Sequence, residues 1–324
     1  MRKKLHKILA TGAAGFIGSA FIKVALKNNF KVVVVDKLSY AGDLERLKEV
    51  KNRIKFYKTD ITDKPAVEKI LKEQKPDAII NFAAESHVDR SITDPTAFIE
   101  TNIKGVQVLM DAARKFSISR FVHISTDEVY GDIEKGQFYE DSPIKPNSPY
   151  AASKAAADLL VKSYIRTFDF PAVIIRPSNN YGPWQFPEKL IPLAIANIIK
   201  NKKVPVYAQG KNVREWLFVE DCARGILAVL KNGKTGEVYN LGSGFEKQNI
   251  AVVKSILKLL KAPESTIEYV KDRPGHDIRY SLNSVKIYNK LNWKAKVNFE
   301  EGIKKTVCWC IENQDWLLKK AGEK

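Results

Sequence analysis

The chain has 324 residues, which at roughly 150 residues per domain makes one large domain or two intimately joined ones. Its 44% apolar and 28% charged composition excludes a disordered or fibrous chain, and three cysteines (Cys222, Cys308 and Cys310) without C-x-x-C spacing exclude a disulfide scaffold or a zinc framework and suit a reducing, cytoplasmic compartment. The formal net charge of +17 invites phosphate-bearing partners, but the lysines are scattered from Lys3 to Lys324 among acids, and no basic run interleaved with aromatics marks a nucleic-acid interface.

In chain order, Met1-Arg2-Lys3-Lys4 followed by an uncharged stretch from Ile8 to Ile22 has the outline of a secretory signal. Regularly spaced Gly12, Gly15 and Gly18 argue against that, and the stretch is shorter than the roughly 18 residues a membrane span needs. Short apolar runs at 8–11, 31–36, 54–58, 78–82, 120–125 and 172–177 read as strands. Amphipathic stretches at 15–28, 66–74, 95–115 and 149–168 separate them and read as helices. Such alternation predicts right-handed βαβ units and a doubly wound, mostly parallel sheet covered on both faces.

Beyond Pro177 the texture changes to Asn, Pro, Trp and Tyr clusters, with helical pieces at 190–200, 221–231, 250–260 and 301–321. We expect a first domain over 1–178 and a smaller, mixed second domain over 179–324, with 215–246 returning to the first as a helix at 215–230 and a strand at 237–242. There is no internal repeat or low-complexity tract.

Thr11-Gly12-Ala13-Ala14-Gly15-Phe16-Ile17-Gly18 follows the first strand and opens the first helix. Glycines there permit a tight turn, close backbone approach to a pyrophosphate and close helix packing, while the helix N-terminus offers free N–H groups to an anion. The second strand ends in Asp36, 18 residues after Gly18, where a carboxylate can bind a ribose diol and repel a 2′-phosphate. NAD is therefore expected rather than NADP, although Lys37 next door offers a charge to a phosphate. Further contacts are expected from Asp60-Ile61 and from Phe82-Ala83-Ala84-Glu85-Ser86, at the ends of the third and fourth strands.

Thr126-Asp127-Glu128 lies at the carboxyl end of the fifth strand, where open α/β sheets bind their ligands. Two adjacent acids serve as proton donor and acceptor if their environments drive their pKa values apart. Tyr150 and Lys154 stand at i and i+4 on one helix face, and a tyrosine needs a nearby cation and a hydrogen-bond donor to take a proton near neutrality.

The glycine triplet, Thr126 lying 24 residues before Tyr150, and Lys154 together resemble the extended short-chain dehydrogenase/reductases. Within them the chain resembles the dTDP-glucose 4,6-dehydratases. Thr126-Asp127-Glu128, the run from Arg176 to Pro183, Pro187-Glu188-Lys189-Leu190-Ile191-Pro192, Asn212-Val213-Arg214-Glu215-Trp216 and Asp272-Arg273-Pro274-Gly275-His276-Asp277 carry that likeness over nearly the whole chain. It implies a Rossmann-type sheet, tightly held NAD regenerated each turnover, and a homodimer pairing through the helices at 95–115 and 151–168.

The implied activity is dehydration of dTDP-glucose to dTDP-4-keto-6-deoxyglucose. Tyr150, supported by Lys154 and Thr126, takes the C4 hydroxyl proton as hydride leaves C4; Glu128 takes the C5 proton; Asp127 protonates the departing C6 hydroxyl; and hydride returns to C6. Carried over residue by residue, cofactor contacts fall on Gly12, Gly15, Phe16, Ile17, Gly18, Asp36, Lys37, Leu38, Ser39, Asp60, Ile61, Phe82, Ala83, Ala84, Ser86, Thr101, Tyr150, Lys154 and Asn180. Substrate contacts fall on Ser86, Thr126, Asn179, Lys189, Leu190, Arg214, Asn249, Asp272, Arg273 and His276, with Pro205, Val206 and Tyr207 toward the base. Arg214 and Arg273 suit a diphosphate because a guanidinium fork matches phosphate oxygens. No metal site is expected, since His87 and His276 lack ligand spacing.

The nearest alternatives are a UDP-glucose 4,6-dehydratase and a nucleotide-sugar 4-epimerase, the second disfavoured because it needs no acid/base pair. An NAD-binding regulator without catalysis is the alternative from another class.

Overall fold

The computed structural model describes residues 5–322, so the basic tetrapeptide Met1-Arg2-Lys3-Lys4 weighed above lies outside the described residues. The strands are β1 Lys7–Thr11, β2 Lys31–Asp36, β3 Ile54–Lys58, β4 Ala78–Asn81, β5 Arg120–Ile124, β6 Ala172–Pro177, β7 Asn179–Tyr181, β8 Val204–Tyr207, β9 Val213–Phe218, β10 Val238–Leu241, β11 Glu246–Gln248 and β12 Ile267–Val270. The helices are α1 Phe16–Lys27, α2 Lys64–Gln74, α3 Val88–Thr93, α4 Thr96–Phe98, α5 Gly105–Lys115, α6 Pro149–Phe168, α7 Leu190–Ile199, α8 Val219–Asn232, α9 Asn249–Leu260, α10 Val285–Leu291, α11 Phe299–Glu312 and α12 Gln314–Lys320.

Seven parallel strands form the main sheet in the order β10-β6-β5-β4-β1-β2-β3. Strict alternation along each strand feeds two cores. Val32 and Val34 of β2, with Ile8, Ala10 and Ile80, pack under α1 and α8, while Val33 and Val35, with Leu9 and Ile79, pack under α2, α5 and α6. The chain leaves β1 toward β2 and returns to the other side of β1 through β4, so a crevice opens where the strand order reverses, outside the carboxyl ends of β1 and β4.

Local chemistry fixes the helix starts. Asp63 caps α2 through Ala66 N with Pro65 in its first turn, and Ser148 caps α6 through Ala151 N with Pro149 at its start. The predicted helix over 95–115 is continuous but passes through a π-helical turn at Ile99–Lys104.

A second lobe is built from a three-stranded sheet, β11-β9-β7, and a two-stranded sheet, β12-β8, packed with α7, α9, α11 and α12 around its own core. Two predicted elements differ. The helix expected from residue 215 starts at Val219, because Glu215–Phe218 pairs with both β7 and β11 in the small sheet. Of the 215–246 segment, α8 packs against α1 and β10 joins β6 at the edge of the main sheet. The last helix breaks at Asn313, whose side chain donates back to the Trp309 carbonyl. Trp309 and Trp316 meet across that break and both pack on Trp184. No helix among the described residues is long and apolar enough to cross a membrane.

Candidate active site

One cleft runs from the glycine loop across the carboxyl end of the main sheet to the second lobe. Gly12 stands at φ +63°, and a Cβ there would lie 2.5 Å from Ala83 Cα and 2.8 Å from the Phe82 carbonyl carbon. The β1 loop thus lies directly against the end of β4, which only glycine allows. Gly18 packs as tightly within the loop, its added Cβ 2.6 Å from Ala13 Cα. Helix α1 has neither a side-chain cap nor an acid in its first turn, so its N-terminal N–H groups and dipole face the cleft unopposed. These features fit a dinucleotide pyrophosphate.

Asp36 is buried and accepts from Ala14 N at 2.9 Å and Leu38 N at 2.8 Å. Burial pushes its carboxyl up, and the two backbone N–H groups, Arg46 and Lys37 pull it back. Lys37 is drawn to acids instead, with Glu85 at 3.3 Å, Asp60 at 3.7 Å and the Thr101 hydroxyl at 3.2 Å. An acid at the strand end and a lysine already shared between two carboxylates make this end of the cleft suited to a ribose diol rather than a phosphate. Phe16, Ile17, Ser39, Ile61, Phe82, Ala84, Ser86 and Asn180 also line the cleft, whereas Leu38 contributes the backbone that holds Asp36.

The chemistry-bearing residues converge at the end of β5. Thr126 starts a 3-10 turn over Asp127–Tyr130; its hydroxyl accepts from Glu128 N at 3.3 Å and donates to Asp127 Oδ1 at 3.2 Å. Asp127 is 2% exposed, and its Oδ2 has no partner among the described residues. Burial, then Glu128 and Glu215, push the Asp127 carboxyl well above the usual carboxylate range. Glu128 is also raised, by burial and then by Asp277, while the guanidinium of Arg214 foremost, with Arg273 and Lys189, holds it back. The environments therefore raise both carboxyls but unequally: Asp127 holds its proton more tightly than Glu128, as a donor beside an acceptor requires.

Tyr150, in the first turn of α6, donates its N–H to Ser91 Oγ at 3.1 Å and sets its ring edge-on to Phe98. Burial and then Glu128 raise its phenol, while a hydrogen bond with Thr126 lowers it. Lys154, one turn on, is buried and donates to the Ile124 carbonyl at 2.7 Å; burial lowers its pKa to about 8.

On the second-lobe side, Lys189 Nζ donates to the Ser86 carbonyl at 3.0 Å. Arg214 stacks on Tyr280 and donates to the Asp277 and Val213 carbonyls at 2.9 Å each. The loop after β12 is tied to α3 by Arg273 and Asp89 at 3.0 Å and pinned internally by Asp272 and His276 at 2.6 Å, with His276 edge-on to exposed Tyr207. Asn179 Oδ1, Asn180 Oδ1, Asn249 Oδ1 and Arg273 Nε are buried without partners among the described residues, as groups that await a polar ligand are. Pro205 is half-buried on β8. Val206 differs from expectation: its side chain points into the second core, so only its backbone is available to a ligand. Leu190 begins α7 and also leans on that core.

Sequence reasoning missed Arg46, Gln185, Phe186 and Glu188, all of which line the cleft. Arg46 is fully buried and donates to the carbonyls of Ala14, Ala41 and Trp184, tying the glycine loop to the second lobe. A lone arginine in a 3-10 turn carries no sequence signal for that. Glu188, beside the noted Lys189, accepts from Tyr40 Oη at 3.1 Å and lies 3.7 Å from His87. Among the described residues no cluster of three or more His, Cys, Asp or Glu is arranged to hold a metal.

The family described as GDP-mannose 4,6 dehydratase matches residues 9–306. The chain is 48% identical to dTDP-glucose 4,6-dehydratase 1 of Escherichia coli, over 96% of this chain and 94% of that one. It superposes on the crystal structure of a dTDP-glucose 4,6-dehydratase from Streptomyces venezuelae, solved with NAD and TYD bound, with a TM-score of 0.93 and 45% identity over 96% of this chain and 98% of the other. A UDP-glucose 4-epimerase of Thermus thermophilus, in complex with NAD, follows the same fold with a TM-score of 0.88 but only 31% identity, over 94% and 98% of the two chains.

Proposed function

The chain belongs to the GDP-mannose 4,6 dehydratase family, alongside the dTDP-glucose 4,6-dehydratases, and we propose that it dehydrates dTDP-glucose to dTDP-4-keto-6-deoxyglucose with NAD that is regenerated each turnover. The observation that carries this reading is the split acid pair, Asp127 and Glu128, beside Tyr150 at the end of a dinucleotide cleft.

In this reading residues 1–178, with α8 and β10 returning to them from the 215–246 segment, carry most of the cofactor site, and the rest of 179–324, apart from Asn180, holds the nucleotide sugar. The glycine loop takes the pyrophosphate, Asp36 the adenosine ribose, and Tyr150, Lys154 and Asn180 the nicotinamide end. NAD held there supplies a hydride acceptor for the C4 hydrogen and, once reduced, the donor that returns it to C6.

Tyr150 takes the C4 hydroxyl proton. Its phenol is raised by burial and by Glu128, so this step needs Thr126 to hold the phenolate and a positive charge nearby, which Lys154 supplies. The resulting C4 ketone acidifies C5–H, and Glu128, kept toward ionisation by Arg214, removes that proton. Asp127, whose proton burial holds more tightly, donates to the departing C6 hydroxyl and releases water. A proton returned to C5 completes the product. Arg214 acts here through its charge on Glu128 as much as by gripping diphosphate, since each of its two terminal nitrogens already donates to a backbone carbonyl.

The test uses dTDP-glucose deuterated at C4: the reading predicts deuterium at C6 of a product lighter by one water. Loss of the label to solvent contradicts it. An epimerase would keep the mass unchanged and has no use for a proton donor and acceptor at C5–C6. UDP-glucose run in parallel decides the base. We also propose a homodimer, because Ile92, Ile99, Leu159 and Phe168 leave α3, the π-helical turn and α6 with exposed apolar side chains. A sedimentation mass equal to one chain would refute it.

A further inference from the structure

We propose that Asp158 is a positioning residue for this reaction, the buried counter-ion that keeps the Lys154 ammonium charged at the floor of the cleft. The inference rests on the role given to Lys154 above. Along α6, Lys154, Asp158 and Lys162 follow one another at i, i+4 and i+8 on one face. Beneath that face β5 and β6 bring in His123 and Arg176. Asp158 is 0% exposed, with Arg176 Nε 2.8 Å from Oδ2 and His123 Nε2 3.8 Å from Oδ1.

The charges do not balance in pairs. Burial and the neighbouring Lys154 and Arg176 hold His123 neutral. Two buried cations, with Lys162 at the margin, therefore share one carboxylate. Arg176 takes one of its oxygens; the other has no hydrogen-bond partner among the described residues, and neither do His123 Nε2 and Arg176 Nη2. One turn along the helix, the carboxylate acts on Lys154 through space.

The other titratable groups that line the cleft with Lys154 are Tyr150 on the same helix and Asp127 and Glu128 on the turn after β5, while His123 on β5 and Arg176 on β6 lie behind it. Burial is what pulls Lys154 down, and Asp158 is the charge that opposes it. With Asp158 present the ammonium survives to the upper edge of neutrality. Without it, Lys154 loses its proton at a lower pH, and the cation that supports the Tyr150 phenolate disappears within the working range.

The test follows Lys154 directly. Carbon-13 lysine-labelled holoenzyme is titrated by NMR, with the Lys154 signal identified by its loss in Lys154→Arg. The pH dependence of kcat with dTDP-glucose is measured alongside. In Asp158→Asn the Lys154 midpoint and the alkaline limb of kcat both move to lower pH by roughly one unit, and Asp158→Glu restores both. A purely structural role lowers activity at every pH and leaves both midpoints unmoved, which would overturn the proposal.

Because Asp158→Asn leaves a buried guanidinium unpaired, the double variant Asp158→Asn/Arg176→Gln is measured as well. Asp158 is the charge that raises Lys154, so a shift in the same downward direction, reduced because the opposing guanidinium is removed with it, is expected, and an unmoved midpoint in the folded double variant refutes the idea. Should dTDP-glucose not be turned over at all, the functional reading fails while the NMR midpoint still decides this one.

Discussion

Replacing Gly12 with alanine tests how the cleft is built. The new methyl would meet only backbone, 2.5 Å from Ala83 Cα, 2.8 Å from the Phe82 carbonyl carbon and closer still to Ala83 N, so no side chain can rotate out of its way. The residue also sits at φ +63°, which costs an L side chain about 1 kcal/mol or more. Overpacking a close-fitted site adds about 1–3 kcal/mol. The total, about 2–4 kcal/mol, is lost either from folding or from NAD binding, because the loop can relieve the clash only by leaving β4 and with it the pyrophosphate position. If all of it falls on binding, NAD affinity drops by roughly thirtyfold to a thousandfold.

The control is Gly136→Ala, which has a similar φ of +82° but meets nothing nearer than Ile133 Cδ1 at 3.9 Å. It lies away from the cleft-lining residues and should lose about 1 kcal/mol of stability with NAD affinity unchanged. Urea unfolding and NAD titration on both variants separate the two terms. A Gly12→Ala protein as stable as Gly136→Ala, with wild-type NAD affinity, would refute the close-approach argument.

Glu128→Gln should oxidise C4 and stop at C5 deprotonation, so reduced-nicotinamide absorbance builds up and kcat falls by about 100-fold or more; wild-type turnover would remove Glu128 as the base. Tyr150→Phe should lose that absorbance change altogether in single-turnover measurements. Glu215, whose carboxylate holds the N–H groups of Gly244 and Leu282, is pushed by burial to about 7. A raised acid binds its proton more tightly in the folded state, so its charged form costs stability above pH 7 and the cost is relieved as pH falls toward 4.5. At about 1.4 kcal/mol per unit, wild type should gain roughly 3 kcal/mol over Glu215→Gln between pH 8 and pH 5; a difference between the two that does not vary with pH contradicts this.

The first half of the fold was legible because its signal is local. Alternating valines such as Val32 to Val35 give strands with two buried faces, and the glycine triplet plus Asp36 marks the dinucleotide turn. The candidate cluster was legible through spacing, since Tyr150 and Lys154 are helix neighbours and Thr126-Asp127-Glu128 abuts a strand end. What stayed hidden is tertiary. Glu215–Phe218 read as helix because its apolar residues run on into α8, and only partners distant in sequence, β7 and β11, make it a strand. Val206 read as base-facing because alternation tells which side chains share a face but not which face is the core. Arg46, held by three carbonyls, has no pattern of its own. The asymmetry between Asp127 and Glu128 likewise depends on Arg214, 86 residues further along the chain, lying nearer in effect to one acid than to the other.

The most direct test of the function is mass spectrometry of dTDP-glucose after incubation with the purified protein, with no NAD added. The expected product is a nucleotide sugar lighter by one water, formed over many turnovers by cofactor that travels with the protein. Unchanged mass in a preparation shown to contain NAD, whether the sugar is untouched or epimerised, would contradict it.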